Sequence, residues 1–374
     1  MKQRAFNILL TVLFCLFIGG MFLGSLILPD RDFSQLENRK LAQTPALSLE
    51  NITTGKFMED AEDYVNDQIL GRDFWVALKA WSERVSGKQE NNGVYFAKED
   101  TLISRVDTPE QSTLDTNAGY VNALVDNVDV PVYFGIIPSA AEIWSDRLPE
   151  GAPTADEKAI IDRLYNEVQT HTIDLYSALA QHKDEDLYYR TDHHWTSLGA
   201  FYGYTALMDA MGLEAVPLDE SQKVTVSEDF YGTLFSSSGV RWLPPDHIDR
   251  YISDEGVTVT AYPNGTPEPG SLYVDSYLKV KDQYSSFLGG NKPLCVIETE
   301  HTGAPKVLVI RDSYADSLAP FLTQNFSEIH LFDPRYNLTS VKDYVTQNEI
   351  DSVVVLYSIS NFTARDNQMF VLGR

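Results

Sequence analysis

Short apolar runs alternate with helical segments over most of the chain beyond residue 130, and this alternation constrains the fold more than any other feature. Each apolar run has the length of a buried strand, and the segments between them are long enough for helices. Strands that alternate with helices form a parallel sheet with helices on both faces. We therefore predict an α/β fold. The predicted strands and helices, in chain order, are residues 131–137, 156–169, 172–175, 196–211, 306–310, 317–323, 328–332, 340–348 and 352–357.

Two regions fall outside this alternation. Residues from about 218 to 302 are rich in Gly, Pro, Ser and β-branched side chains and have no helical period, which predicts an insertion of loops and short strands that shapes a substrate groove. Residues 30–100 read as a polar connector and a helical segment, with helices at 54–70 and 74–85 and a strand at 94–96. The main domain is then predicted to occupy residues 101–374.

The first 29 residues differ in kind from the rest. Lys2 and Arg4 precede an uncharged, apolar run over residues 5–28 that is long enough to span a bilayer. A cleavable signal peptide usually has a shorter apolar centre and an A-x-A-like cleavage site, so an uncleaved transmembrane helix is favoured over a signal peptide. Basic residues before the run, with Asp30 and Asp32 after it, orient the bulk of the chain outside the cytoplasm.

Composition limits the class of partner and the source of stability. With 43% hydrophobic residues in 374, the chain can bury a sizeable core. The 29 basic and 54 acidic residues give a net charge of -25, which repels phosphate backbones, so no nucleic-acid partner is expected. Cys15 lies in the apolar run and leaves Cys295 without a partner, so neither a disulfide nor a cysteine-based zinc site is predicted.

The segment from Thr191 to Ala200 carries the chemistry. Asp192 stands two positions before His194, after a short apolar run and before the helix that Thr196 is placed to cap. An imidazole with a carboxylate behind it is the general base that a weak nucleophile such as a serine hydroxyl needs. Ser313 follows the predicted strand 306–310 and precedes a helix, on a turn whose backbone N–H groups can hold an oxyanion. The carboxyl ends of strands collect reactive groups in such folds, which brings these residues to one edge.

Several motifs together resemble the DHHW protein family, over nearly the whole chain beyond the apolar run. The segments that carry the resemblance are Asp192-His193-His194-Trp195, Ser34-x-x-Glu37-Asn38-Arg39-x-Leu41-Ala42, Asn66-Asp67-Gln68, Gly71-Arg72-Asp73, Asn92-Gly93-Val94-Tyr95, Asp312-Ser313-Tyr314 and Asp333-Pro334-Arg335-Tyr336. That family is similar to the AlgX/AlgJ alginate O-acetyltransferases of the SGNH hydrolase-like superfamily, whose members carry an Asp-x-His-Trp motif and a later Ser.

The resemblance implies an SGNH hydrolase-like parallel sheet flanked by helices, with Asp192 as the acid, His194 as the base and Ser313 as the nucleophile. It implies acyl transfer, with acetyl the expected group, on a cell-surface or secreted polysaccharide. The resemblance also implies a membrane-bound acyltransferase as donor partner. We expect no cofactor.

The chain departs from ordinary SGNH hydrolases in its order, because Asp192 and His194 precede Ser313, a permutation that serine triads tolerate. The Gly and Asn of an SGNH oxyanion hole are matched by composition in Gly290 and Asn291, while Tyr314 and Arg335 are candidates for binding an oxyanion or substrate oxygens.

Four alternatives remain at this point. Asp192, His193 and His194 are suitable ligands for zinc or manganese, although adjacent side chains rarely converge on one ion and no HExxH motif or Cys pair completes a site, so no metal is predicted. Asp312-Ser313 taken alone is more typical of a helix cap. The same mechanism with water as acceptor gives a carbohydrate esterase. The same fold without catalysis gives a glycan-binding or scaffold protein of the cell envelope.

Overall fold

The structure is a computed structural model, and it describes residues 2–374. It forms two compact units. The N-terminal unit comprises the described residues up to Asn91 together with Phe235–Trp242, and the sheet unit comprises Asn92–Leu234 and Leu243–Arg374. The predicted division of the chain at residues 29 and 100 stays a prediction.

Thirteen α-helices are found in the described part of the chain. They are α1 (Lys2–Ile27), α2 (Leu49–Thr54), α3 (Lys56–Gln68), α4 (Arg72–Val85), α5 (Gln111–Asn127), α6 (Ala140–Ile143), α7 (Glu157–Glu167), α8 (Leu175–Ala180), α9 (Ser197–Met211), α10 (Thr233–Ser238), α11 (Ala315–Leu322), α12 (Val341–Gln347) and α13 (Ile359–Phe362).

Fifteen strands accompany them within residues 2–374. They are β1 (Phe33–Ser34), β2 (Arg39–Lys40), β3 (Glu90–Asn91), β4 (Val94–Phe96), β5 (Leu102–Ser104), β6 (Val132–Ile137), β7 (His171–Thr172), β8 (Val224–Phe230), β9 (Asp246–Arg250), β10 (Thr258–Ala261), β11 (Glu268–Pro269), β12 (Leu294–Glu298), β13 (Lys306–Arg311), β14 (Glu328–Phe332) and β15 (Ser352–Ser358).

An eight-stranded sheet organises the sheet unit, in the order β11-β10-β12-β14-β13-β15-β6-β7. The strands from β14 to β7 run parallel to one another, as the alternation of strands and helices predicts. The edge formed by β12, β10 and β11 is antiparallel, which the sequence did not indicate. These three strands come from the predicted insertion, so the insertion extends the sheet as well as forming loops.

The sheet separates two apolar layers, because successive side chains of a strand point to opposite faces. In β13, Val307 and Val309 join the layer that contains α9 and α11, whereas Leu308 and Ile310 join the layer that contains α5 and α12. All seven residues of β15 are buried, as expected for a central strand covered on both faces. The result is a rigid platform whose carboxyl-terminal edge presents the loops after β13, β15 and β6.

Several helices differ from the sequence-based prediction, among them α3 and α5. The helix predicted over residues 54–70 begins two residues later, because Gly55 adopts a left-handed φ of 82° that ends α2 and separates it from α3. Helix α5 was not predicted. Its apolar stripe includes Asn117, which is buried and donates its side-chain amide to the carbonyl of Phe362 at 2.6 Å.

Helix α1 is apolar along its length. The stretch Gln3–Ile27 is long enough to cross a membrane, and its most apolar 18 residues have a mean hydropathy of 2.4, a property that membrane anchors and signal sequences share.

Candidate active site

Ser313 lies on the turn between β13 and α11, and this turn is fixed by the carboxylate of the residue before it. Asp312 is fully buried and accepts hydrogen bonds from the backbone N–H of Tyr314 at 3.0 Å and from the backbone N–H and hydroxyl of Ser358 at 2.9 and 2.6 Å. The side-chain amide of Asn361 donates to the same carboxylate at 2.8 Å. Ser358 ends the neighbouring strand β15, so Asp312 ties the serine turn to the centre of the sheet.

His194 brings its imidazole to this turn from a loop 119 residues earlier. Its Nε2 lies 2.8 Å from Ser313 Oγ, and its Nδ1 lies 2.6 Å from Asp192 Oδ1. The backbone N–H of His194 also donates to Asp192 Oδ1 at 3.0 Å. Both His194 and Asp192 are buried, at 6% and 3% exposure. The structure therefore joins the predicted acid, base and nucleophile in one continuous hydrogen-bonded chain.

The second oxygen of Asp192 is held by Thr233, at the start of α10. The backbone N–H and the hydroxyl of Thr233 donate to Asp192 Oδ2 at 2.7 and 2.9 Å. Burial acts to raise the pKa of Asp192, but the imidazoles of His193 and His194 and the hydrogen bonds from His194 and Thr233 outweigh it and lower that pKa below its usual range. Asp192 is thus an ionised, oriented acceptor for the Nδ1–H of His194 at neutral pH.

A second buried carboxylate holds the loop that carries Asp192. Asp246, at the start of β9, accepts hydrogen bonds from the backbone N–H groups of Arg190 and Thr191 at 3.1 and 2.8 Å. The hydroxyl of Thr191 donates to Asp246 at 2.6 Å. Since the main sheet does not include this loop, Asp246 supplies the anchoring that a strand would otherwise give.

Aromatic rings enclose the imidazole of His194. The ring of Tyr284 stacks on it with centroids 3.8 Å apart and planes 9° apart, and the ring of Tyr314 lies 5.0 Å away at a tilt of 53°. The hydroxyl of Tyr284 donates to the carbonyl of Ser313 at 3.0 Å, and the indole N–H of Trp195 donates to the carbonyl of Tyr314 at 2.9 Å. These contacts fix the imidazole and the serine turn relative to each other.

Two of the predicted oxygen-binding residues prove to be engaged elsewhere. The hydroxyl of Tyr314 donates to the carbonyl of His193, and its backbone N–H donates to Asp312, so neither group is available to an oxyanion. Arg335 makes a bidentate ion pair with Asp333, at 2.9 and 2.7 Å. The proposed substrate-binding role of Tyr314 is therefore corrected to positioning, and Arg335 is committed to a buried carboxylate.

The other two predicted oxygen-binding residues, Gly290 and Asn291, differ in whether their N–H groups already have an acceptor. The N–H of Gly290 donates to the carbonyl of Phe287 at 3.4 Å, so it is not an oxyanion donor. Asn291 is exposed, and its Oδ1 accepts from Arg311 and Arg335 at 3.2 and 3.4 Å, which leaves its side-chain N–H₂ without an acceptor among residues 2–374. The backbone N–H of Ser313 likewise has no acceptor among the described residues. Both groups are therefore free to donate a hydrogen bond to a bound ligand.

A buried cation lies beneath the serine turn. Arg311 is fully buried, and its Nη2 lies 3.0 Å from Asp316 Oδ1, a close ionic contact without hydrogen-bond alignment. Burial raises the pKa of Asp316 to about 6, and the guanidinium of Arg311 opposes that rise. Arg311 also donates to the carbonyl of Asp312 at 3.3 Å, so the cation, the turn and Asn291 form one polar cluster.

The metal alternative has a geometric basis, since ligand atoms of Asp192, His193 and His194 lie within 4.8 Å of one another. The donor set is nevertheless occupied by hydrogen bonds. Both oxygens of Asp192 and both nitrogens of His194 are used as described above, and His193 Nδ1 lies 2.7 Å from the hydroxyl of Thr233. An ion bound here would displace the contacts to Ser313 and Thr233, and so the residues fit a serine-imidazole-carboxylate chain better than a metal centre.

A groove lies at the same edge of the sheet, beyond the end of β14. It is a cavity of about 840 Å³ whose lining is rich in tyrosine rings and side-chain amides. Its lining includes Tyr262, Asn264, Tyr336, Asn337, Tyr344 and Gln347, together with Pro263, Pro293, Leu294, Leu338 and Asp343. Aromatic faces flanked by amide groups suit the apolar faces and hydroxyls of a sugar.

The sequence did not single out several residues that build this site. Thr233 and Tyr284 lie in the predicted insertion, where no periodic pattern marks them, and Asp246 gives no local signal beyond its position before a strand. The clamp from Asp312 to Asn361 joins two strand ends that only the sheet order brings together. A buried carboxylate after a strand was visible in the sequence, but its partners were not.

Comparisons with known proteins give the family. No curated protein matches the sequence. Among solved structures, a DHHW family protein from Eubacterium siraeum DSM 15702 matches with a TM-score of 0.66 and 26% identity, over 75% of this chain and 95% of that one. PatB1 from Bacillus cereus, solved with a sulfonyl adduct, matches with a TM-score of 0.62 and 21% identity, over 74% and 98%. The O-acetyltransferase domain of Pseudomonas putida AlgJ matches with a TM-score of 0.46 and 16% identity, over 73% and 93%.

The matches to the Eubacterium siraeum protein and to PatB1 confirm the predicted α/β fold. The family model described as DHHW protein matches residues 110–332, which is more than half of the chain. Those residues include the Asp-His-His-Trp motif and Ser313. The chain belongs to the DHHW protein family.

Proposed function

We propose that this protein transfers an acyl group, acetyl in the simplest case, to hydroxyls of a cell-surface or secreted polysaccharide. The observation that carries the proposal is the hydrogen-bonded chain Ser313–His194–Asp192, with 2.8 Å between Oγ and Nε2 and 2.6 Å between Nδ1 and Oδ1. A serine hydroxyl at this distance from an oriented imidazole is a suitable nucleophile for acyl transfer.

The first half-reaction loads the serine. Ser313 Oγ attacks the acyl carbonyl of the donor while His194 Nε2 takes the hydroxyl proton, and Asp192 holds the resulting imidazolium through Nδ1. We assign the stabilisation of the oxyanion to the backbone N–H of Ser313 and the side-chain amide of Asn291, because neither donor has an acceptor among the described residues. The bond to the leaving group then breaks as His194 returns the proton to it, and an acyl-serine remains.

The second half-reaction passes the acyl group on. A sugar hydroxyl attacks the acyl-serine as His194 removes its proton, and the proton returns to Ser313 Oγ when the ester bond breaks. With water in place of the sugar, the same steps give a free acid, which is the esterase alternative. The tyrosine- and amide-lined groove after β14 supports a sugar acceptor, because it lies at the edge of the sheet that carries Ser313.

The location follows from α1. We propose that it is an uncleaved single-pass anchor and that the rest of the chain lies outside the cytoplasm, where the polysaccharide is. Acetyl donors are cytoplasmic metabolites in general, so an extracytoplasmic enzyme needs a partner that carries the acyl group across the membrane. The resemblance to the alginate acetylation proteins supports a membrane-bound acyltransferase in that role. The net charge of -25 makes nucleic acid an unsuitable partner.

The test uses the full chain in detergent with a chromogenic acetyl ester and a sulfonyl fluoride that labels nucleophilic serines. We expect Ser313→Ala and His194→Ala to abolish ester turnover, and Ser313→Ala to abolish labelling. Two exposed residues give matched controls, Ser112→Ala on α5 and His301→Ala after β12, and both should react as the parent does. A sulfonyl mark on any residue other than Ser313 in the parent would refute the assignment.

A second measurement separates the acceptors. Oligosaccharides added to the acetyl-ester reaction should be acetylated, as seen by mass spectrometry, and should accelerate release of the chromophore. Acetate as the sole product at every sugar concentration would favour the esterase. An unreactive Ser313 combined with measurable oligosaccharide binding would favour the glycan-binding alternative.

A further inference from the structure

Exposed apolar side chains are concentrated in the N-terminal unit. Beyond residue 28, seventeen large apolar side chains are exposed, and twelve of them belong to the N-terminal unit although it is the smaller of the two. Large exposed apolar surfaces on a folded protein mark an interaction site. The twelve are Phe33, Leu47, Leu49, Ile52, Met58, Val65, Ile69, Phe74, Leu78, Trp81, Val85 and Trp242.

Helix α4 contributes the most regular part of this surface. Phe74, Leu78, Trp81 and Val85 recur at helical spacing and are 62%, 39%, 54% and 66% exposed, so they form one outward stripe. The opposite side of α4 faces its own unit through Ala80, which is 1% exposed. A surface helix normally presents its polar side to solvent, and α4 reverses that arrangement over more than three turns.

The stripe is continuous with the apolar surface of α1. The ring of Trp75, at the start of α4, packs edge-on against Phe17 of α1 with centroids 6.1 Å apart, and the backbone N–H of Leu70 donates to Ser25 Oγ at 2.9 Å. Helix α1 is exposed along nearly all of its length and carries no charge between residues 5 and 27. A medium that covers α1 therefore also reaches the start of α4.

We infer that the outward stripe of α4 lies in the lipid bilayer that α1 crosses, in the leaflet nearest the C-terminal end of α1. A helix with Phe, Trp and Leu on one side and charged groups on the other lies in the interfacial plane with its apolar side among the acyl chains, and Trp is favoured at that depth. The contact is apolar and not electrostatic, since the chain carries a net charge of -25. The inference rests on the proposed anchoring of α1, and it makes the N-terminal unit a second membrane contact.

The test measures the depth of spin labels on the full chain in phosphatidylcholine nanodiscs. Cys15→Ala removes the exposed thiol, while Cys295 can stay because it is buried and does not react with the label. Single labels are introduced by Leu78→Cys and Trp81→Cys on the stripe, Lys79→Cys beside it, Leu338→Cys on the sheet unit, and Leu13→Cys on α1. Two collision rates are measured for each label. One is with oxygen, which concentrates in hydrocarbon, and the other is with a water-soluble nickel chelate.

We expect the labels at residues 13, 78 and 81 to collide more with oxygen, and those at residues 79 and 338 to show the reverse. Leu338 is a matched control because it is apolar and 54% exposed, like Trp81. Oxygen-rich collisions at residue 13 with nickel-rich collisions at residues 78 and 81 would overturn the inference and leave the anchor intact. Nickel-rich collisions at residue 13 would overturn the anchor as well. If the labels at residues 78 and 81 collide with neither reagent, the stripe is buried against protein, and this result would also overturn the inference.

Discussion

The ring of Tyr284 lies flat on the imidazole of His194, with centroids 3.8 Å apart and planes 9° apart. The same tyrosine donates its hydroxyl to the carbonyl of Ser313. One side chain therefore contacts both the base and the nucleophile turn, and it sets the angle at which the imidazole meets the serine hydroxyl. Orientation of a general base is worth several orders of magnitude in rate, so we expect Tyr284 to influence turnover as a positioning residue.

Tyr284→Phe keeps the stacked ring and loses the hydroxyl, so we expect turnover of an acetyl ester to fall only a few-fold. Tyr284→Leu fills the space but removes the flat ring, and we expect about a 100-fold loss in kcat with little change in KM, because general-base efficiency spans about 10²- to 10⁴-fold. Steady-state kinetics of both variants test whether the stacked ring is needed, and their thermal midpoints check that they fold. Equal activity of the two variants would contradict a role for the stack.

The candidate site shows what the sequence could predict and what it could not. The spacing of Asp192 and His194 and the place of Ser313 after a strand pointed to residues that the structure brings within hydrogen-bond distance, although their catalytic role stays a prediction. Tyr284 and Thr233 were missed, because they come from a region where the sequence has no periodic pattern and where only tertiary packing decides which side chains face the imidazole.

The fold likewise has features that the sequence could predict and features that it could not. The parallel strands were predictable because each is a short apolar run beside a helical segment, as in β13 and β15. The antiparallel edge was not, since β10 and β12 read as ordinary short strands and their direction depends on how the insertion returns to the sheet. The buried Arg311 was also unpredictable from local sequence, because Asp316 and Asp333 reach it from a helix and from the neighbouring strand's end.

A substitution at Gly232 tests the role of Asp192, because the backbone at Gly232 lies against the Asp192 side chain. A methyl group at this position would lie 2.2 Å from Asp192 Cβ and 2.3 Å from its Oδ2, so Gly232→Ala forces the carboxylate away from His194. We expect ester turnover to fall by about 10²- to 10⁴-fold, because general-base catalysis contributes about that much and depends on the acid that orients the base. The rate of Ser313 sulfonylation should fall in parallel.

The matched control is Gly119→Ala, in the exposed side of α5, where an added methyl meets nothing within 4 Å. This change should leave turnover unaltered and raise the free energy of unfolding by about 0.5 to 1 kcal/mol, since alanine is the better helix former. Parental turnover in Gly232→Ala would mean that the orientation of Asp192 does not limit the reaction.

Chelation tests the metal alternative. If Ser313, His194 and Asp192 act without a metal, EDTA should leave ester turnover unchanged. His193→Ala should cost less than about tenfold, because it removes one hydrogen bond to Thr233 worth about 1 kcal/mol. A metal bound by Asp192, His193 and His194 predicts the opposite, with loss of turnover in both experiments and recovery when zinc or manganese is restored to the chelated protein.

A buried carboxyl group away from the serine predicts how stability depends on pH. Glu157, at the start of α7, is fully buried and accepts hydrogen bonds from the N–H and hydroxyl of Ser139 at 2.8 and 2.6 Å. Burial raises the pKa of Glu157 from 4.5 to about 7, against the opposing effect of those two hydrogen bonds. The folded state therefore holds this proton more tightly than the unfolded chain does between those two pH values.

The direction in which the free energy of unfolding changes with pH follows from this difference in pKa. As the pH rises from about 4.5 to 7, the unfolded chain releases the proton first, so this group lowers the free energy of unfolding by up to about 3 kcal/mol. Glu157→Gln stays neutral and can still accept from the Ser139 N–H and donate to its hydroxyl. We expect its thermal midpoint to exceed that of the parent at pH 8 and the difference to vanish near pH 4.5. Glu150 is exposed, so the thermal midpoint of the control Glu150→Gln should follow that of the parent at every pH. A difference in thermal midpoint between Glu157→Gln and the parent that stays constant across this range would show that Glu157 is already ionised in the folded protein at low pH.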